Sequence, residues 1–373
     1  MSLKQLLELS VEKKVGQLFF IGLPGPELDE QAKKILSEIS PGGVCLFARN
    51  IREAAQTRSL LNAIREVLPI EPLLSLDQEG GLVDRLRRIL TPMPAANTIQ
   101  TSEEATKLAE IIAEATRILG FNMDFAPVVD VVDEKRSHYT NGLHSRAFGN
   151  SADDVTELAG AFLSIIQKNG VIGCLKHFPG LGASEVDSHE ELPRVNITVD
   201  ELNGIDLVPY QKLFHTGEVN AVMVAHAAYP KLDLQETAQN GTLLPSSLSR
   251  NVIGELLRSE FGYDGLVLTD DLEMGAILKN YGIGEACKLA INAGEDMLCI
   301  CAGVDSIYDG YNAVLDAVNA GDISMTRIDE SLKRIAAVKS RVSPPLDFDQ
   351  TRLDALSARI AALGGSSNQH HGG

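Results

Sequence analysis

The polar residues best suited to chemistry follow short apolar runs of the chain. Lys176 and His177 end the run VIGCLKHF, and the loop that comes next contains Asp187 and His189 in Asp-Ser-His. In an extended chain, a carboxylate two residues before an imidazole projects on the same side as the ring. Asp187 can therefore accept the N–H of His189, fix its tautomer and raise its basicity. A surface loop is the alternative interpretation, but the pair is suited to proton transfer.

Other charged residues and imidazoles end further apolar runs. They are Asp77 at the start of DQEGG, Arg85, Arg146 in SRAFG, His226, and the neighbours Asp270 and Asp271. No cysteine ligand, phosphate loop or large aromatic surface accompanies them. Structural roles stay open for Lys176–His177 as a buried pair, for His226 as a hydrogen-bonded core histidine, and for Asp271 as a helix cap.

The elements that position these residues alternate along the chain. Amphipathic helical patterns separate eight short runs in which both alternating sets of positions are apolar, as in parallel strands covered on both faces. The runs are 15–23, 42–49, 72–77, 122–131, 171–178, 221–229, 265–270 and 296–300. Helix starts are marked by Thr101 to Glu104 and Ser151 to Asp154, and Gly120 can end the first of these helices. The pattern predicts an α/β fold, a single (β/α)8 TIM-type barrel, with room for irregular strands and for a count of seven or nine.

The domain assignment follows from this alternation. We assign residues 1–343 to the barrel, 344–363 to a C-terminal extension with a helix, and 364–373 to a disordered polar tail. In such barrels the chemistry collects at the C-terminal ends of the strands. The polar residues named above are therefore expected to converge on one face.

Composition limits the partners and the compartment. With 33 Lys and Arg against 51 Asp and Glu, the net charge is −18, which argues against nucleic acid and against an anionic membrane surface. We see no signal peptide, and no run reaches the roughly 18 apolar residues of a membrane span. Five cysteines without metal spacing predict buried, reduced thiols and a cytoplasmic protein: Cys45, Cys174, Cys287, Cys299 and Cys301.

Several ordered motifs make the chain similar to the family three glycoside hydrolases. They are DQEGG with its following arginine, SRAFG, KHFPG with DSH and LP, and GLVLTDDLEMGAI. The similarity runs from about residue 10 to 342 and is greatest to the single-domain bacterial β-N-acetylglucosaminidases of cell-wall recycling. This resemblance implies a retaining enzyme that acts on a small carbohydrate, an N-acetylglucosamine-containing glycan or muropeptide, with no metal and no other cofactor.

The resemblance also implies roles, position by position. Asp270, the first aspartate of TDD, matches the nucleophile. His189 matches the general acid/base, with Asp187 as its dyad partner. The positions that bind the sugar in the glycone subsite match Asp77, Arg85, Arg146, Lys176 and His177. Histidine, with an unperturbed pKa near 6.5, can donate a proton and then accept one in such a double displacement.

Two departures from the family bear on this interpretation. The family commonly reads KHFPGHG, whereas this chain has Leu181 at the second histidine, a change that concerns loop geometry more than chemistry. The larger two-domain β-glucosidases take their acid/base from an additional domain, and the length of this chain favours the N-acetylglucosaminidase branch. Gly180 and Gly182 are expected to let the loop move over the sugar.

Other functions remain open at this point. Within the family these are a β-glucosidase-like or a phosphorolytic enzyme. From other classes they are a metal-dependent amidohydrolase-like barrel with zinc held by His177, His226 and Asp270, and a non-catalytic sugar-binding protein that keeps Asp77 and Arg85. The aglycone (anhydro-muropeptide, chitobiose or glycolipid), the acceptor (water or phosphate) and the oligomeric state are also open.

Overall fold

The computed structural model describes residues 3–186, 188, 191–238 and 241–367, with side chains as far as Leu363. Its strands are β1 (Phe19–Gly22), β2 (Gly43–Cys45), β3 (Leu73–Leu76), β4 (Gln78–Gly80), β5 (Val83–Asp84), β6 (Met123–Asp124), β7 (Ile172–Phe178), β8 (Ala221–Val224), β9 (Leu266–Asp271) and β10 (Met297–Ile300). All but β4 and β5 are parallel and close into a barrel in chain order, in which β10 pairs with β1. The predicted (β/α)8 barrel is confirmed.

Helices occupy the connections between the barrel strands. They are α1 (Leu3–Leu7), α2 (Val11–Gly16), α3 (Glu30–Ile39), α4 (Ala54–Val67), α5 (Ser102–Leu119), α6 (Ala152–Lys168), α7 (Val199–Glu201), α8 (Val208–Phe214), α9 (Gly275–Leu278), α10 (Ile283–Ala293), α11 (Val304–Ala320), α12 (Met325–Lys339) and α13 (Gln350–Ser367). The segments Leu202–Asp206 and Asn251–Glu260 are π-helical. Across the described part of the chain, no helix is both long and apolar enough to cross a membrane.

The helix boundaries follow the capping chemistry of the sequence. The N–H of Glu104 donates to Oγ1 of Thr101 at 3.2 Å, and the capping box predicted for α5 is present. Gly120 ends α5 with a φ of 105°, a conformation that glycine adopts without a Cβ clash. Ser151 caps α6 through the N–H of Asp154. Helix ends were therefore readable because they depend on local hydrogen bonds.

Two strand regions differ from the prediction. Gln78–Gly80 and Val83–Asp84 form an antiparallel hairpin directly after β3, whose turn uses positive φ at Gly80 and Gly81. The fourth predicted strand, 122–131, is regular only at Met123–Asp124. Beyond Asp124 the pairing with β7 is irregular: the N–H of Cys174 donates to the carbonyl of Ala126, Pro127 has no N–H to donate, and the N–H of Val129 donates to the carbonyl of Lys176.

The C-terminal helix is part of the packed molecule. Helix α13 lies against α5 and buries Leu353, Leu356 and Ile360. It runs to Ser367, beyond the extension predicted at 344–363, while 368–373 lie outside the described residues. The domain boundaries themselves stay predictions.

Candidate active site

A polar pocket lies at the C-terminal ends of the barrel strands. Strands β2, β7, β8, β9 and β10, the hairpin after β3 and the connection after β6 contribute its walls. It brings together six of the residues predicted from the sequence: Asp77, Arg85, Arg146, Lys176, His177 and Asp270. The expected convergence on one face is observed for these six.

One wall of the pocket is a charged cluster centred on Glu79. Nζ of Lys176 lies 2.6 Å from Oε1 of Glu79 and 2.9 Å from Oδ1 of Asp77. Arg146 donates from Nε and Nη2 to the two carboxylate oxygens of Glu79, at 2.7 and 2.9 Å. Arg85 donates from Nη2 to Oδ2 of Asp77 at 3.3 Å. Two carboxylates therefore hold three cations in one network, which we call the Glu79 cluster.

Charge in the Glu79 cluster is maintained despite burial. Burial alone would raise the pKa of Glu79, but Arg146 and Lys176 outweigh it and hold that pKa well below its usual range. Burial alone would lower the pKa of Lys176, but Asp77 and Glu79 raise it. Asp77 keeps part of its side chain accessible and lines the pocket, so it can accept hydroxyl groups of a ligand.

A buried carboxylate orients His177. Oδ2 of Asp130 lies 2.7 Å from Nδ1 of the ring, and its Oδ1 accepts the N–H of His177 at 3.3 Å. Lys176 and His177 are joined by a cis peptide bond, and both side chains line the pocket. With Nδ1 donating to Asp130, Nε2 faces the pocket, 4.0 Å from Oδ2 of Asp270.

Asp270 lies at the end of β9, beside the basic side chains of the pocket. Burial alone would raise its pKa, but His177, His226 and Lys176 lower it more, and the net pKa falls below the ordinary value. Its Oδ1 accepts one backbone N–H, that of Asp271, at 2.8 Å. The carboxylate is therefore ionised at neutral pH and part of it faces the pocket, as a nucleophile requires.

His226 has a structural environment, as one of the two interpretations predicted. Its Nδ1 lies 2.7 Å from Oγ of Ser247, and its Nε2 lies 3.1 Å from the carbonyl oxygen of Asp271. Burial lowers the pKa of the ring. Since both ring nitrogens are engaged, His226 has none left for zinc, and no group of three metal-binding side chains is found among the described residues.

The interpretation of Asp271 as a helix cap is wrong. Helix α9 begins at Gly275, and Met274 is its N-cap residue. Oδ1 of Asp271 instead accepts the N–H of Glu273 at 3.1 Å and that of Cys301 at 3.3 Å. Asp271 therefore links the end of β9 to the end of β10, and its side chain lines the pocket.

The loop after β7 is packed at its base. A Cβ on Gly180 would lie 2.6 Å from Cβ of Asp206, and one on Gly182 would lie 2.0 Å from the carbonyl oxygen of Val131. The hydroxyl of Tyr229 also donates to the carbonyl of Gly180 at 2.6 Å. The two glycines thus serve close contacts in this conformation, and the loop movement expected from the sequence stays a prediction.

Leu181 fills the position where the family commonly has histidine. Its side chain is buried and lines the pocket, while its N–H donates to Oδ1 of Asp130 at 2.6 Å. The loop is tied to Asp130 through a backbone group, which any residue except proline supplies. Loss of the histidine therefore leaves this hydrogen bond in place.

The proposed proton-transfer pair, Asp187 and His189, lies outside the described residues. The residue between them, Ser188, is described, lines the pocket, and accepts the N–H of Ala276 with its carbonyl at 3.2 Å. Ser188 therefore belongs to the same pocket as Asp270.

Sequence reasoning missed two residues of the site. Glu79 lies within the quoted DQEGG motif, and Asp130 is a carboxylate inside an apolar run, 122–131. A charged residue in an otherwise buried run is paired in most proteins, so Asp130 carried a readable signal. Its partner could not be read, because it lies on another strand.

A second wall of the pocket is weakly polar. Its side chains, which we call the sulfur wall, are Cys45, Cys299, Cys301 and Met274. All five cysteines of the chain are free and buried, as predicted. The thiols of Cys45 and Cys301 are hydrogen-bonded, and together with burial this raises the pKa of Cys301. Burial also raises the pKa of Cys299, so the thiols of Cys299 and Cys301 stay protonated at neutral pH.

Fold and site together define a TIM-barrel enzyme with a polar pocket at the C-terminal face. Residues 10–338 match the family described as Glycosyl hydrolase family 3 N terminal domain, and the chain belongs to this family of glycoside hydrolases. The fold and family expected from the sequence are both confirmed.

Relatives and solved structures agree with this assignment. A β-hexosaminidase of Tolumonas auensis is 34% identical over 298 residues, 78% of this chain and 85% of the relative. One of Pseudomonas aeruginosa is 36% identical over 288 residues, 75% and 81% of the two chains. The structure of a family 3 β-N-acetylglucosaminidase from Paenibacillus sp. has a TM-score of 0.86 at 35% identity, covering 95% of this chain and 69% of its own.

Proposed function

We propose that the protein is a retaining β-N-acetylglucosaminidase. It removes terminal, non-reducing β-linked N-acetylglucosamine by double displacement, with Asp270 as nucleophile, His189 as general acid/base and Asp187 as its partner. The relatives named β-hexosaminidase and the β-N-acetylglucosaminidase structure support the substrate class. Asp77, Arg85, Arg146, Lys176 and His177 hold the glycone.

The observation that carries this proposal is the environment of Asp270. It is a carboxylate of lowered pKa at a strand end, beside His177 and within a pocket walled by hydrogen-bonding charges. An ionised carboxylate can attack an anomeric carbon and leave again. Its cationic surroundings keep it ionised while the sugar excludes water.

The Glu79 cluster supports binding of a sugar ring. Hydroxyl groups donate and accept, and this wall offers the acceptor Asp77 beside the donors Lys176 and Arg146. The cluster satisfies its own charges before a ligand arrives, so it is preorganised and little reorganisation accompanies binding. A neutral polyol fits such a wall better than an anion, whose charge would compete with Glu79.

The reaction proceeds in two steps, with Asp270 and His189 on opposite sides of the glycosidic bond. Asp270 attacks the anomeric carbon while His189 gives its proton to the departing oxygen, which forms a glycosyl ester and breaks the glycosidic bond. His189 then takes a proton from water, whose oxygen attacks the anomeric carbon and releases Asp270. Asp187 holds the imidazole in the tautomer that can do both.

Peptidoglycan fragments are the proposed source of the substrate, and the cytosol is the proposed compartment. The resemblance of the quoted motifs to cell-wall recycling enzymes supports the first. The five unpaired, buried cysteines support the second, because reducing compartments keep thiols free. Comparing turnover of purified muropeptides, chitobiose and a glycolipid, with and without phosphate, would identify the aglycone and the acceptor.

The decisive experiment concerns Asp270. Asp270→Asn should lower kcat on a nitrophenyl N-acetylglucosaminide on the order of 10⁴-fold or more, since one member of the covalent machinery is lost. A 5-fluoro glycosyl trap should label Asp270 in the wild type, and the first product should be the β-anomer by NMR. Labelling of Asp271, or an α-anomer as first product, would refute this assignment.

The rivals from other classes predict different results. A metal-dependent barrel would lose activity with chelators and contain stoichiometric zinc on elemental analysis. A sugar-binding protein would bind N-acetylglucosamine without turnover. Faster turnover of the matching glucoside would favour a β-glucosidase-like member of the family.

A further inference from the structure

The pocket has two walls of different chemistry. The Glu79 cluster comes from the hairpin region after β3, the connection after β6 and strand β7. The sulfur wall comes from β2, the end of β10 and the turn after β9. A hydroxyl group gains hydrogen bonds at the first wall and few at the second. A substituent with a methyl group would suit the sulfur wall.

Asp271 contributes a carboxyl group beside the sulfur wall. Its Oδ1 is occupied by the N–H groups of Glu273 and Cys301, whereas Oδ2 has no hydrogen-bond partner within the described part of the chain. Cys301 and Met274, which belong to the sulfur wall, line the pocket beside it. The free oxygen of Asp271 is thus available to a ligand, next to a surface suited to a methyl group.

We propose that Asp271 is a specificity-determining residue that donates a hydrogen bond from Oδ2 to the carbonyl oxygen of the 2-acetamido group, whose methyl packs on the sulfur wall. This inference rests on the function proposed above and names the atoms that recognise the substituent. An acetamide needs one donor for its carbonyl and an apolar contact for its methyl. A glucoside, with a hydroxyl at the same carbon, has no methyl to bury there.

The protonation that this role requires has a physical cause. Burial raises the pKa of Asp271 to about 7, with Glu273 and Asp270 adding to the rise and the two backbone N–H groups opposing it. Three thiols of neighbouring elements lie near this part of the pocket: Cys299 of β10, Cys301 directly after β10, and Cys45 of β2. His226, which follows β8, donates from Nε2 to the carbonyl oxygen of Asp271. Below pH 7 the carboxyl is a donor; above it, the carboxylate repels the acetamide oxygen.

The test compares two substrates rather than one rate. We would measure kcat/KM for 4-methylumbelliferyl N-acetylglucosaminide and for the glucoside, from pH 5.5 to 9, and take their ratio. Loss of a proton from His189 affects both substrates, so the ratio isolates Asp271. In the wild type the ratio should fall above pH 7.

Two variants separate donation from structure. Asp271→Asn keeps an acceptor for the two N–H groups and places an amide donor at the other position, so the ratio should stay within about threefold of wild type at pH 6 and lose its alkaline fall. Asp271→Ala removes the donor, and the ratio should drop about tenfold or more. Asp264→Asn, an exposed carboxylate at the opposite end of the barrel, is the matched control.

Three outcomes would overturn the proposal. They are an equal loss on both substrates in Asp271→Ala, loss of selectivity in Asp271→Asn, and a wild-type ratio that does not change with pH. Failure of the proposed function is a separate result, because the wild type would then prefer the glucoside or turn over neither substrate. Thermal unfolding of each variant checks that the fold is intact.

Discussion

Oδ2 of Asp130 lies 2.7 Å from Nδ1 of His177, while Oδ1 of the same carboxylate accepts the N–H of Leu181 at 2.6 Å. One buried group thus fixes both the imidazole and the first turn of the loop after β7. Because Nδ1 is engaged, Nε2 is the ring atom left for a ligand, and it lies 4.0 Å from the proposed nucleophile Asp270.

Asp130→Asn should therefore reverse the tautomer of the His177 ring. An amide NH₂ facing Nδ1 makes that nitrogen an acceptor and places the proton on Nε2, while the amide oxygen still accepts from Leu181. We expect kcat/KM to fall about 10–100-fold with a small change in melting temperature. The His177 tautomer would be read from ¹⁵N NMR shifts. Wild-type kinetics with a reversed tautomer would show that the position of the proton on this ring is unimportant for activity.

His189→Ala should show a strong dependence on the leaving group. A nitrophenolate departs without a proton, whereas a sugar alkoxide does not, so the loss should be about 10²–10⁴-fold greater on a disaccharide than on the nitrophenyl glycoside. Asp187→Ala should show the same pattern with a smaller loss, because the proton carrier remains. Kinetics on both substrates measure this. Equal losses on the two would remove His189 from the acid role.

Glu79→Gln should weaken both binding and stability. It leaves Lys176 and Arg146 buried without their shared countercharge, and breaking a buried pair costs about 3–5 kcal/mol. Because the pKa of Glu79 is lowered by folding, its contribution is present above the unfolded pKa near 4.5 and is lost as pH falls through the lower folded value. Urea unfolding at pH 7 and pH 4 should show a smaller gap at pH 4.

The same variant should raise KM, since the sugar-facing cations lose their positions. Arg146→Lys is the companion variant, because it keeps the charge but not the two-pronged geometry. A gap between wild type and Glu79→Gln that is independent of pH would mean that folding does not lower the pKa of Glu79.

Glu295→Gln is expected to stabilise the protein at alkaline pH. Glu295 precedes β10 and is fully buried, and neither of its carboxyl oxygens has a hydrogen-bond partner among the residues that the structure describes. Burial raises its pKa well above 4.5, with Asp296 adding to the rise and Arg258 and Arg327 opposing it. The contribution of neutral Glu295 to the free energy of unfolding is thus fully present below pH 4.5. It declines as pH rises toward the folded pKa, by up to about 1.4 kcal/mol per pH unit.

Glutamine has the same shape and does not titrate, so this decline should be smaller in the variant. Chemical denaturation from pH 5 to pH 8.5 measures it, with Asp264→Asn as an exposed control. Parallel pH curves for wild type and Glu295→Gln would contradict the predicted protonation.

The sequence predicted those parts of the fold that depend on local pattern. Eight apolar runs and the caps at Thr101 and Ser151 were readable because strand burial and helix capping act over a few residues. The hairpin after β3 was missed, since its strands are too short for periodicity to register. The short fourth strand was overestimated because apolarity alone does not show where Pro127 interrupts the ladder.

For the site, residue types were readable and partners were not. Asp77, Lys176 and Asp270 were found because they end strands or lie in recognisable motifs. Their pairing with Glu79 and the link from His177 to Asp130 join different strands, so only the closed barrel shows them. Asp271 was misjudged for the same reason: its partner Cys301 directly follows the neighbouring strand β10.

Closure of the barrel joins the earliest and latest strands of the chain. Phe19 of β1 pairs with Leu298 of β10, and Lys14 forms an ion pair with Asp329 of α12. During synthesis from the N-terminus, β1 must wait for nearly the whole chain before its second neighbour exists. Until then both sheet edges are open to intermolecular pairing. Folding should therefore be slow for the size of the protein and most vulnerable to aggregation before the last strand leaves the ribosome.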